Sequence, residues 1–116
     1  MATKTEAMTI SALCSKAHEM AVEKGWWDVP ERSALEIHAL IHSEVSEATE
    51  AVRNGLACWV QDGPEQKPEG ELSEMADIVI RVCDWCSKND WDLEAAIVRK
   101  MAFNQTRGYR HGGKKA

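Results

Sequence analysis

The sequence predicts an all-α fold: a four-helix bundle-like domain whose largely apolar third helix is central in the bundle or lies at a subunit interface. Three observations predict it. Apolar residues recur at three- and four-residue intervals over four separate stretches, and no stretch sustains the period-two alternation of a half-buried strand. Glycine, proline and Asn-Gly or Asn-Asp breaks separate the stretches. At 116 residues the chain is long enough for one core and too short for two.

The first helix is expected from about Thr5 to Lys24, with Ile10, Leu13, Cys14, Ala17 and Ala21 on one stripe and Gly25 as its stop. Trp26-Trp27-Asp28-Val29-Pro30 leads to the second helix, which Ser33 and Glu36 open as a capping box and Asn54-Gly55 ends after Arg53. Gly63, Pro64, Pro68 and Gly70 mark the next segment as a loop, within which Leu56 to Val60 can pack as a local turn. The third helix spans Glu71 to Lys88 and breaks at Asn89-Asp90. Asp92 caps the fourth, which reaches about Arg107. Residues 1–107 therefore form the domain, and 108–116 are a basic, glycine-rich tail.

Fourteen Lys and Arg against 19 Asp and Glu give a net charge of −5, which argues against nucleic acid as a general partner. No apolar run approaches the roughly 20 residues that cross a bilayer, and no charged segment followed by an apolar stretch opens the chain. The expected location is the cytoplasm, with Cys14, Cys58, Cys83 and Cys86 reduced. Cys83-x-x-Cys86 lacks a second ligand pair, so both cysteines are expected in the core.

Function is signalled where polar residues interrupt the helical pattern. On the second helix, Ile37, Leu40, Ile41, Ala48, Ala51 and Val52 define an apolar face. Glu44 falls near its centre and Glu47 at its edge, while Glu50, Ser43, Ser46 and Arg53 lie opposite. A carboxylate inside an apolar stripe requires a partner. On the third helix, Glu74, Asp77, Arg81, Asp84 and Lys88 form a narrow strip through an otherwise apolar surface. That strip is either a solvated edge with Asp77–Arg81 and Asp84–Lys88 pairs or one wall of a site shared with Glu44 and Glu47. The spacing Glu44-x-x-Glu47 and Glu74-x-x-Asp77 lets each helix offer two carboxylates to one point. Four anions gathered this way call for a cation, and an all-oxygen set suits Mg²⁺ or Mn²⁺.

The fourth helix carries Lys100, Asn104 and Arg107 on a face shared with Leu93, Ile97 and Phe103. Basic side chains aimed into a bundle that holds four acids would suit a polyphosphate, and the tail's Arg110, His111 and Lys114 could close over it; snorkelling and a frayed terminus are the plain alternatives. His38 and His42 lie toward solvent. His18, Trp26 and Trp27 are candidates for stacking on a nucleobase, although packing at a helix end explains them as simply.

These segments resemble the MazG-like, all-α nucleoside triphosphate pyrophosphohydrolases over most of the chain. The likeness rests on Ile41-His42-Ser43-Glu44-Val45-Ser46-Glu47-Ala48, on Glu74-Met75-Ala76-Asp77-Ile78-Val79-Ile80-Arg81, and on Lys100-Met101-Ala102-Phe103-Asn104-Gln105-Thr106-Arg107 followed by Tyr109-Arg110-His111-Gly112-Gly113-Lys114. Gly25-Trp26-Trp27 is similar to the turn that closes the first helix in that family. One departure is Glu71, where many members carry a lysine; Lys67 is not at the matching position. The resemblance implies hydrolysis of a nucleoside triphosphate to monophosphate and pyrophosphate, as nucleotide-pool house-cleaning. It implies Mg²⁺ on Glu44, Glu47, Glu74 and Asp77, a water activated by one glutamate, and phosphate binding by Lys100, Asn104 and Arg107. It also implies a homo-oligomer, dimer or tetramer. A di-iron bundle would need Glu-x-x-His pairs, and none occurs. The non-enzymatic alternative is a helical oligomerisation or nucleotide- and metal-sensing module.

Overall fold

The computed structural model describes residues 7–29 and 31–109. Among these the chain is all-helical, with α1 (Ile10–Glu23), α2 (Ala34–Arg53), α3 (Glu71–Lys88) and α4 (Leu93–Gln105). The second helix opens at the expected cap, where Ser33 Oγ accepts the Glu36 amide at 3.1 Å, and the Glu36 carboxylate pairs with Arg32. The third has the expected bounds. The first starts later than Thr5: Thr9 is extended and its hydroxyl takes the Ala12 amide at 3.0 Å, so Thr9 is the cap. The fourth ends two residues before Arg107.

Gly25 and Gly55 close α1 and α2 in the same way. Each is left-handed, and the following residue donates its amide back to the last turn, Trp26 to Ala21 and Leu56 to Ala51. The loop before α3 folds on itself more than its composition suggested. Val60 and Glu69 exchange two backbone hydrogen bonds as an isolated bridge, and the Leu72 amide donates to the Cys58 carbonyl. Gly70 lies against this clasp at φ +110°, where a Cβ would sit 2.4 Å from the Ala57 carbonyl oxygen. The clasp fixes where α3 begins, and with it Glu74.

The third helix is central, packed on α1 along one side and α2 along another, whereas α4 packs chiefly on α1. The core is thin. Cys14, Ala17 and Cys83 form its centre, with Ile10, Leu13 and Leu93 around them, and Cys83 is the largest fully buried side chain. Burial, then contact with Cys14, pushes the Cys83 thiol up to about 12, as expected for packing rather than reactivity. Leu72, Met75, Val79 and Ile80 of α3 and Val98, Met101 and Phe103 of α4 are left exposed. The radius of gyration, 17.0 Å, exceeds the ~13 Å of a compact domain this long. Among the described residues no helix is long and apolar enough to cross a membrane.

Candidate metal centre

The carboxylates of Glu44, Glu74 and Asp77 converge between α2 and α3, with one oxygen of each lying within 4.8 Å of the others. Glu44 is 8% exposed, as its place on the apolar stripe of α2 predicts. Its Oε1 accepts from Arg81 Nε at 3.0 Å. Its Oε2, and Glu74 Oε2, are buried without any hydrogen-bond partner. Two orphaned carboxylate oxygens beside a third acid are costly unless a proton or a cation lies among them.

The acidities express that cost. Burial first, then the closeness of the Glu44 and Glu47 carboxylates, which favours a proton held between them, and finally their negative charge, raise Glu74 from 4.5 to about 7. Burial and the Glu44 charge also raise Asp77, opposed by the positive charges of Arg81 and Lys67. Glu47 is exposed and lies beside Glu74, outside the converging trio. All four acids thus act on one locus, with Glu47 at its rim. Lys67, off the position expected from the family pattern, still brings its charge to bear on Asp77 from the loop.

A divalent cation fits this donor set. The donors are carboxylates alone, two of these side chains carry a buried oxygen without a partner, and hard ions such as Mg²⁺ and Mn²⁺ take such oxygens.

No family model, curated protein or solved structure matches the chain. The site therefore has to be judged on its own chemistry.

The remaining candidates are placed differently. Lys100 and Asn104 are exposed on α4, which has no buried residue and no substantial packing on α2, and Arg107 is exposed two residues past its end. The expectation that they point into the same bundle as the acids is not met within one chain, because α4 leans on the start of α1, where Ser11 N donates to Glu94 Oε1 at 3.1 Å. The Lys100 ammonium lies 5.8 Å from the Phe103 ring instead. Arg110, His111 and Lys114 lie outside the described residues. His38 and His42 are exposed, as expected.

His18, Trp26 and Trp27 are engaged within the fold. His18 Nδ1 and Trp27 Nε1 both contact Asp84 Oδ1, at 2.8 and 3.0 Å, and Trp27 stacks on Trp85 with ring centroids 6.1 Å apart. The Arg32 guanidinium sits 3.7 Å from the centroid of Trp26. Asp84 is 8% exposed and so is not part of a solvated Asp84–Lys88 edge. Sequence reasoning missed this knot and the Arg81–Glu44 bond. The available signal was the spacing of Glu74, Asp77, Arg81 and Asp84, at i, i+3, i+7 and i+10, which marks one continuous face of a helix.

Proposed function

We propose that this chain is a Mg²⁺-dependent (or Mn²⁺-dependent) nucleoside triphosphate pyrophosphohydrolase of the MazG-like kind, acting as a homo-oligomer in the cytoplasm. One observation carries the proposal: Glu44 and Glu74, which converge with Asp77, each hold a buried carboxylate oxygen that has no hydrogen-bond partner. Glu44, Glu74 and Asp77 would hold the ion, with Glu47 completing the set from the rim. Bound there, Mg²⁺ supplies Lewis-acid polarisation of phosphate and an activated water.

The chain's own groups do the rest. Glu47, exposed beside Glu74, would orient a water and accept its proton as the oxygen attacks the α-phosphorus. The α–β phosphoanhydride bond breaks and pyrophosphate leaves. Its charge needs cations, and a single chain does not bring Lys100, Asn104 and Arg107 to the acids. We therefore assign that role to α4 of a second copy and the residues that follow it, as far as Arg107. The exposed apolar faces of α3 and α4 supply surface for such an assembly.

The test is pyrophosphate release from a panel of ribo- and deoxyribonucleoside triphosphates with Mg²⁺. Turnover is expected, with losses of at least roughly 100-fold in Glu44→Gln and Asp77→Asn. No release from any nucleotide refutes the proposal. Mg²⁺-dependent nucleotide binding without release selects the alternative, a sensing or oligomerisation module built on the same acids.

A further inference from the structure

We infer that Arg81 is an internal counter-cation that competes with a divalent ion for Glu44, so that it sets the affinity of the acid cluster rather than building it. This rests on the metal-binding role proposed for Glu44, Glu74 and Asp77.

The two oxygens of Glu44 have different fates. Oε1 is taken by Arg81 Nε at 3.0 Å, and Oε2 is buried and unpartnered. The pair is nearly closed to solvent on the Glu44 side and open on the other, with side chains 10% and 29% exposed. Arg81 is held from behind, where its guanidinium carbon lies 5.2 Å from the Trp26 ring centroid. Trp26 is fixed in turn by Arg32, which stacks on the ring and donates Nε to the Trp26 carbonyl at 2.8 Å. A permanently charged guanidinium is thus anchored against the ligand set by an aromatic ring.

Two consequences follow from its charge. Pairing lowers the energy of the empty site, because Glu44 is not left as a bare buried anion. Repulsion raises the energy of the occupied site, because a second cation enters beside the first. Both weaken binding. A residue that merely oriented Glu44 for coordination would have the opposite effect on removal, so the sign of the change decides between the roles. A weakened site exchanges its ion readily, as suits a cation that arrives and leaves with a phosphorylated ligand.

The experiment is calorimetric titration of full-length protein with Mn²⁺ at pH 8, comparing wild type with Arg81→Met, Arg81→Gln and Arg81→Lys, and with Glu44→Gln as control. We expect Arg81→Met and Arg81→Gln to bind Mn²⁺ more tightly, on the order of 10-fold. Arg81→Lys, which keeps the charge, should stay near wild type. Equal or weaker binding in the uncharged variants overturns the inference while leaving the metal site intact. No Mn²⁺ binding by wild type, or binding untouched by Glu44→Gln, overturns the metal site itself. If neither uncharged variant folds alone, thermal melting replaces titration: recovery of a folding transition on adding Mn²⁺ supports the inference, and no recovery overturns it.

Discussion

Metal-free protein should lose stability as the solution becomes more alkaline between about pH 4.5 and pH 7, and Glu74 should be the cause. Its carboxyl is raised from 4.5 to about 7 in the folded chain, mainly by burial and then by Glu44 and Glu47. A group that binds its proton more tightly when folded contributes stability that is complete below its unfolded value and disappears as pH climbs through the folded one. The window is therefore about pH 4.5 to 7, with Asp77 acting in the same direction. The unscreened limit for a shift of this size is about 3 kcal/mol. Because Glu74 is partly open to solvent, screening reduces this to about 1–3 kcal/mol. In a domain of this size such a loss lowers the melting temperature by roughly 5–10 °C. The assay is circular-dichroism melting in EDTA across pH 5 to 8.5, for wild type and Glu74→Gln. The wild-type curve should fall relative to the variant, because glutamine removes the titrating group. Excess Mg²⁺ should restore the wild-type melt at pH 8, since the ion replaces the proton. Parallel curves for the two proteins, or a wild-type gain in stability over the same range, would refute the acid cluster as described.

Two other outcomes follow. Asp84→Ala leaves His18 and Trp27 without their shared acceptor and should cost about 2–4 kcal/mol in urea unfolding, with Asp84→Asn losing less. If phosphate binding comes from α4 of a second copy, Glu44→Gln and Arg107→Ala chains are each inactive alone. Unfolded and refolded together, they should recover about a quarter of wild-type pyrophosphate release, because half the dimers are mixed and each mixed dimer has one intact site; no recovery would return the whole site to a single chain.

What was legible in the sequence was local. Ser33 with Glu36 announced the start of α2, Gly25 and Gly55 the ends of two helices, and Asn89-Asp90 the end of α3, because caps and left-handed stops are chemistry of a few adjacent residues. The burial of Glu44 was legible too, since its neighbours on the stripe are apolar. Choices between equivalent signals were not. Thr9, four residues beyond the expected start of the first helix, caps α1 by accepting the Ala12 amide. The loop clasp depends on Gly70 meeting the Ala57 and Cys58 carbonyls, a contact that composition does not encode.

Periodicity says which face of a helix is polar but not which neighbour that face meets. The strip on α3 illustrates the gap. Glu74, Asp77 and Arg81 meet Glu44 of α2, but Asp84, on the same line, meets His18 of α1 and Trp27 of the following turn. One row of residues serves two helices because α3 lies between them. Arg81 stands where the row changes partner, touching Glu44 on one side and the Trp26 ring on the other. The acids are expected as a set; for the arginine beside them the sequence leaves open a surface pair with Asp77 or a place in the wall that faces Glu44 and Glu47, without naming its partner. Its partner comes from α2, 37 residues earlier in the chain, so spacing within α3 puts Arg81 on the strip with the acids but does not name Glu44.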